Sequence, residues 1–182
     1  DIPNNDYHRM DCANRGMVAA VADGVPLARV RYEFLHPDPP TPDLIIGSAT
    51  HEIVEARVCD RTAMVAFGSD VGRRTKAFEY FKAEVESVHG AGKIIVVTQE
   101  EGVLAKAIAV SVLSNPAFQA LVADPEKLIE PTVIWEDCDT LLKCRARPDI
   151  YTPALEACVD IKTTSDASKL EYTIFKWGYH YQ

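Results

Sequence analysis

The sequence lacks the features that define several large classes of protein. Its five cysteines are an odd number without a CxxC pair, whereas a disulfide framework or a zinc ribbon needs closer spacing. No apolar run approaches the roughly 20 residues of a membrane helix, and no signal-like charged and apolar segment opens the chain. We therefore expect no membrane partner, and reduced thiols in a cytosolic protein.

Basic residues are in the minority. The chain has 19 Lys and Arg against 27 Asp and Glu, which gives a formal net charge of −8. This balance argues against a protein that binds nucleic acid through a basic surface alone, but it allows an enzyme that uses bound cations and a local basic strip. Hydrophobic residues at 47% and charged residues at 25% are typical of a globular protein.

Prolines are concentrated in one segment, HPDPPTPD, at residues 36–43. Such a segment cannot continue a helix or a central strand. We therefore expect residues 1–45 to form an N-terminal helical arm with a proline-rich loop, and residues 46–182 to form the main domain. Because the sequence begins at Asp1 and ends within a helical pattern, we also expect it to be part of a longer polypeptide whose core continues after Gln182.

Hydrophobic periodicity predicts helices in the first half of the domain and strands in the second. The predicted helices begin near Ser48, at residue 76 and at Thr98, where Thr98 and Glu101 match a capping box, and a short helix follows Pro116. The predicted strands are residues 93–98, 132–136, 141–151 and 158–164, and a last helix begins near residues 165–168. The last three strands have short connections and therefore predict an antiparallel meander.

Acidic and basic residues converge in the segment RPDIYTPALEACVDIKTT. Asp149 lies near the end of one predicted strand, and Asp160 and Lys162 are two apart on the next, where they would share a face. The separation of 160 − 149 = 11 residues is consistent with a hairpin that brings both carboxylates to one point. Two carboxylates there would suit Mg²⁺, and a lysine beside the ion could orient or deprotonate a water.

An Asp–Lys pair two apart on a strand is more often a solvated face, but two neighbouring features favour a phosphodiester site. Pro148 suggests a bent strand that re-aims Asp149. Lys143, Arg145 and Arg147 alternate with apolar residues, so this basic row could follow the phosphate backbone of DNA.

The same segment resembles the PD-(D/E)xK nuclease motif, with Asp149, Asp160 and Lys162 as its members. The resemblance extends in order along the chain through GSATHEIVEA, GKIIVVTQEEG, EPTVIWED and the closing YHYQ. Together these segments resemble the phage-type, RecE-like exonucleases of the exodeoxyribonuclease VIII family. The second acidic position is Asp, which the motif allows.

The resemblance implies a fold and an activity. It implies an α/β protein with a restriction-endonuclease-like core, in which helices flank a central mixed β-sheet. It implies a Mg²⁺-dependent exodeoxyribonuclease, with Mn²⁺ able to substitute, that degrades double-stranded DNA from its ends in the 5′-to-3′ direction and leaves 3′ tails for recombination. The implied partners are DNA ends, a single-strand-annealing protein and further copies of the chain in a homo-oligomeric ring.

The resemblance also implies roles for individual residues. The implied metal ligands are His51, Asp149, Asp160, the main-chain carbonyl of Ile161 and Glu130. The implied catalytic residues are Asp149, Asp160, Lys162 and Gln182, with Lys162 positioning the attacking water and Gln182 contacting DNA near the scissile phosphate. Glu130 could equally be an exposed residue that flanks a strand, and Tyr179, near Gln182, is interpreted as core packing.

Two alternatives remain open at the level of sequence. One is a repair or CRISPR-associated nuclease on the same scaffold; many of these bind an iron–sulfur cluster through four cysteines, and the spacing of Cys138, Cys144 and Cys158 does not suggest such a cluster. The other is a catalytically inactive scaffold that binds DNA ends. Inactive relatives usually lose the Asp or the Lys of the motif, and this chain has all three members.

Overall fold

The computed structural model of the protein describes residues 2, 4–68, 71–164, 166–169, 171, 172 and 174. The α-helices are α1 (Asn4–Arg9), α2 (Arg15–Ala22), α3 (Leu27–Leu35), α4 (Pro42–Val58), α5 (Lys76–His89), α6 (Gln99–Leu113) and α7 (Pro116–Val122). The strands are β1 (Val65–Phe67), β2 (Ile95–Val97), β3 (Leu128–Ile129), β4 (Val133–Glu136), β5 (Lys143–Ala146), β6 (Ile150–Thr152) and β7 (Ala157–Val159). The expected mixture of helices and strands is confirmed.

The chain divides into two compact units. The first, here called the strand unit, comprises Asp1–Pro39, Glu126–Asp160 and Thr164–Gln182; the second, the helix unit, comprises Pro40–Pro125 and Ile161–Thr163. This division differs from the boundary expected at residue 45, because the N-terminal segment bonds to β5. The Ala13 N–H donates to the Lys143 carbonyl, and the Arg145 N–H donates to the Ala13 carbonyl, both at 2.8 Å.

The helix unit is built on α4, which begins earlier than the sequence predicted. The helix begins at Pro42 rather than near Ser48, and the Thr41 hydroxyl caps it by accepting from the Leu44 N–H. A proline is well tolerated at the first position of a helix, where its missing N–H has no partner to lose. The proline-rich loop therefore ends at Thr41.

The core of the helix unit lies where α4 and α6 pack against the parallel pair β1–β2. Ala49, Val97 and Ala105 are fully buried there. The surrounding apolar side chains are Ile45, Ile46, Ile53, Val65, Phe67 and Ile95. The predicted capping box is confirmed, because Thr98 accepts from the Glu101 N–H and Glu101 accepts from the Thr98 N–H.

The strand unit contains an antiparallel sheet in the order β3–β6–β7 and a separate antiparallel pair, β4–β5. The prediction of one strand over residues 141–151 is wrong: the chain leaves the β4–β5 pair after Ala146 and enters the other sheet at Ile150. Pro148, which has no N–H, lies in the break. The last strand ends at Val159 rather than at residue 164. Within the described residues the strands form three small sheets, and not one central mixed sheet.

The helices are short relative to a membrane span. In the described part of the chain, no single helix has the length and apolar character to cross a bilayer; only α6 and α7 taken together reach that length and hydropathy, and they are bent by 77° at the break between them.

Candidate metal centre

Asp149 and Asp160 lie at the same end of the β6–β7 pair in the strand unit. Ile150 on β6 pairs with Val159 on β7 in an antiparallel ladder. Asp149 precedes Ile150 and Asp160 follows Val159, so the two aspartates flank the last pair at one end of this ladder. The hairpin expected from their separation is therefore present in the backbone.

Glu130 extends this arrangement to the third strand. Ile129 on β3 pairs with Ile150 on β6, and the Glu130 N–H donates to the Asp149 carbonyl at 2.9 Å. Glu130, Asp149 and Asp160 thus form one row across the end of the three strands, here called the acid row. Glu130 has a φ of 45°, in the left-handed region, and β3 ends at this point. Sequence reasoning missed β3, although the apolar pair before Glu130 was a signal for it.

The residues of the acid row, and the two residues after Asp160, differ in solvent exposure. Asp149 and Asp160 are half-buried, and Glu130 is exposed. Ile161 is buried and Lys162 is exposed. The argument that Asp160 and Lys162 share one face of a strand does not hold, because β7 ends at Val159. Lys162 is accessible to solvent, but strand pleating does not fix its direction.

In the helix unit, the segment after Asp160 packs beside α4. A methyl group added at Gly47 would lie 3.2 Å from the hydroxyl oxygen of Thr163, so residues 161–163 approach the helix closely at this point. His51 lies four residues after Gly47 and is therefore on the same face of α4. The half-buried His51 is on the helix face that Thr163 contacts. Gln182 and Tyr179 lie outside the described residues.

The chemistry of the acid row fits a hard divalent cation, since such ions prefer carboxylate and carbonyl oxygens. The acid row agrees with such a site in the type of its donor atoms and in the backbone positions of its residues. No three His, Cys, Asp or Glu side chains among the residues that the structure describes converge into a group that could hold a metal ion.

Only part of the predicted basic row is exposed to solvent. Lys143 is exposed, but Arg145 is only 2% exposed. The guanidinium of Arg145 lies 4.6 Å from the centroid of the Tyr7 ring, and its Nη2 donates to the His8 carbonyl at 3.3 Å. Its Nε and Nη1 are buried and have no hydrogen-bond partner among the described residues. Arg145 therefore cannot contact a DNA phosphate in this arrangement.

Arg147 is also directed toward the N-terminal segment. Its Nε and Nη2 donate to the Thr132 hydroxyl at 3.1 and 2.7 Å, and Nη2 also donates to the Ile2 carbonyl at 2.7 Å. The guanidinium lies 4.1 Å from the centroid of the Tyr7 ring. Burial raises the pKa of Tyr7 and outweighs the opposing effect of Arg145 and Arg147, so the phenol stays protonated at neutral pH. Of the three basic residues, Lys143 alone is exposed.

Comparison with known proteins adds no assignment. The sequence matches no protein-family model and no curated protein.

Proposed function

We propose that the protein is a Mg²⁺-dependent exodeoxyribonuclease that degrades double-stranded DNA from its ends in the 5′-to-3′ direction and leaves 3′ single-stranded tails. The observation that carries this proposal is the acid row, in which Asp149 and Asp160 flank the same end of the β6–β7 ladder and Lys162 follows two residues later. A pair of carboxylates and a nearby ammonium group are the components of a metal-assisted phosphodiester hydrolysis site.

In this proposal, Asp149 and Asp160 would hold the ion, and the resemblance adds His51, Glu130 and the Ile161 carbonyl as further donors. When bound, Mg²⁺ lowers the pKa of a water and offsets charge on the nonbridging phosphate oxygens. Lys162 orients the attacking water, which adds to phosphorus in line with the departing 3′ oxygen. The products are mononucleotides with 5′ phosphates.

The wider assignments rest on the sequence resemblance and belong to the same proposal. They are a restriction-endonuclease-like core, a homo-oligomeric ring around DNA, a single-strand-annealing partner, and a cytoplasmic location. The role of Gln182 near the scissile phosphate also rests on the resemblance. Lys143 is the basic residue whose exposure supports a contact with the DNA backbone.

Nucleotide release from linear duplex DNA tests the activity. With Mg²⁺, we expect the protein to degrade linear duplex and to leave covalently closed circular duplex intact. Asp160→Asn and Lys162→Ala should each reduce the rate by about a hundredfold or more, the loss typical of a removed transition-state contact. Asp139→Asn, which changes an exposed acid in the β4–β5 turn, is the matched control and should retain the parent rate.

Three outcomes would contradict the proposal. Equal rates for the parent and Asp160→Asn would place the chemistry elsewhere. Cleavage of the closed circle would indicate an endonuclease. A gel shift on DNA ends without cleavage at any Mg²⁺ concentration would indicate the inactive end-binding scaffold.

A further inference from the structure

The strand unit contains an open apolar groove of about 980 Å³, of whose lining residues the proposed nuclease function uses only Lys143. Its walls come from α2, α3, the segment before α2 and the end of the β4–β5 turn. Six of its lining side chains are apolar and between 40 and 72% exposed: Val18, Val21, Leu27, Leu35, Leu141 and Leu142. Apolar surface of this extent, gathered in one concave place, marks a binding surface more often than a free one.

The helices that form the groove bury little of their own apolar surface. Helix α2 has no buried residue, and α3 has only Val30 among the residues that the structure describes. Helices of 8 and 9 residues are too short to be stable without packing of an apolar face. The apolar sides of Val21 and Leu35 therefore lack the cover that such helices need.

The charges around the groove have the opposite sign to the molecule as a whole. Arg9, Arg31 and Lys143 line it, and all three are exposed, whereas Asp11 is the one acidic residue in the lining. None of these three cations forms an ion pair with a described residue. A chain of net charge −8 thus has a local cationic rim beside apolar surface.

We propose that this groove binds an amphipathic helix of a partner protein, with the apolar stripe of that helix on the leucines and valines and its carboxylates facing Arg9, Arg31 and Lys143. A helix laid into an apolar groove is a recurrent mode of recognition, and its anchors fall at positions i, i+3, i+4 and i+7. The cationic rim favours a helix whose apolar stripe is flanked by acidic residues.

Binding of a designed helix tests this proposal on the intact protein. The probe is a fluorescent peptide of about 18 residues, or five helical turns, with leucine at the i, i+3, i+4 and i+7 positions and glutamate on the flanks. The control peptide has lysine in place of every glutamate. We expect the acidic peptide to bind about tenfold or more tightly than the basic one in fluorescence anisotropy, the ratio that roughly 1.4 kcal/mol gives.

Variants of the protein locate the binding surface. Val21→Asp, in the groove, should weaken binding of the acidic peptide by about tenfold or more, a loss of roughly 1.4 kcal/mol. Val110→Asp, which changes an exposed valine on α6, should bind as the parent does. Arg31→Glu should weaken binding of the acidic peptide and strengthen binding of the basic one. Unchanged circular dichroism of Val21→Asp shows that its loss of binding is local.

Several results would overturn the proposal. These are the absence of binding by either peptide, equal binding of both, and equal effects of Val21→Asp and Val110→Asp. If sedimentation shows a parent dimer that Val21→Asp converts to a monomer, the occupant is a second copy of the chain and the proposal fails. The assay contains no DNA, so its outcome is independent of the nuclease proposal.

Discussion

At the scale of single residues, Arg145 on β5 and Arg147 just after it have guanidinium groups that differ in how well they are hydrogen-bonded. The guanidinium of Arg147 donates to the Thr132 hydroxyl and the Ile2 carbonyl. Arg145 has one such bond, to the His8 carbonyl, and two buried nitrogens without partners among the described residues. Two buried donors without partners cost about 1–3 kcal/mol each, against roughly 0.5–2 kcal/mol for each cation–π contact, at 4.6 Å with Tyr7 and 5.7 Å with Phe34.

Replacing Arg145 should therefore stabilise the protein. We expect Arg145→Met to raise the free energy of unfolding by about 1–3 kcal/mol, because methionine keeps the apolar packing and removes the unpaired donors. Arg147→Met is the matched comparison and should lower it by about 1–3 kcal/mol, since its hydrogen bonds are lost. Urea unfolding at neutral pH measures both, and a destabilised Arg145→Met would contradict the interpretation.

Glu101 gives a stability contribution that depends on pH. Burial alone would raise the pKa of Glu101, but hydrogen bonds from Arg73 and from the Thr98 N–H outweigh it and leave the pKa below its usual value. A carboxyl with a lowered folded pKa stabilises the protein above its unfolded pKa of about 4.3, and this stabilisation is lost as the pH falls through the folded pKa.

We therefore expect Glu101→Gln to cost about 1–3 kcal/mol at pH 7, where the lost hydrogen bonds involve charged groups. The difference from the parent should shrink as the pH falls below about 4. Urea unfolding at several pH values measures it, with the exposed neighbour substitution Glu100→Gln as control. An equal cost at pH 7 and at low pH would show that packing, not charge, is responsible.

At the scale of secondary-structure elements, the contact of α6 with β1 depends on the absence of a side chain. A methyl group at Gly102 would lie 2.2 Å from Cδ1 and 2.6 Å from Cε1 of Phe67, and 3.3 Å from Cγ2 of Val97. Such separations require the ring of Phe67 to move. Because the ring belongs to the core of the helix unit, it has little space to do so.

Gly102→Ala sets two opposite effects on stability against each other: the higher helix propensity of alanine and the clash of its methyl group with Phe67. Alanine in a helix gains about 1 kcal/mol over glycine, whereas overpacking a core costs about 1–3 kcal/mol. We expect the clash to prevail and the substitution to lower stability. In a Phe67→Leu background the same substitution should become less costly, because leucine leaves room for the methyl group. A gain in stability in the parent background would contradict the close packing of α6 on β1.

Local chemistry made some elements predictable and left others hidden. The Thr98–Glu101 capping box was predictable because both hydrogen bonds arise within four residues. The start of α4 at Pro42 was not, since a proline cluster allows a loop or a first helical turn equally. The break before β6 follows from Pro148, but its consequence, two strands in different sheets, depends on pairing with distant residues.

At the scale of the whole molecule, the sequence predicted the acidic hairpin and missed its surroundings. The separation of Asp149 and Asp160 predicted a hairpin between them, and β6 and β7 form an antiparallel pair in that segment. The burial of Arg145 could not be predicted, since Tyr7, which covers it, is 138 residues away in the chain (145 − 7 = 138). Alternation along a strand shows which residues share a face but not what that face contacts.

The central claim is that the acid row binds a divalent cation, and titration with Mn²⁺ by isothermal calorimetry tests it most directly. We expect the parent and Asp139→Asn to bind the ion alike. Asp149→Asn and Asp160→Asn should each weaken binding by about tenfold or more, a loss of roughly 1.4 kcal/mol. Binding by Asp160→Asn with the affinity of the parent, or no binding by the parent, would contradict the account.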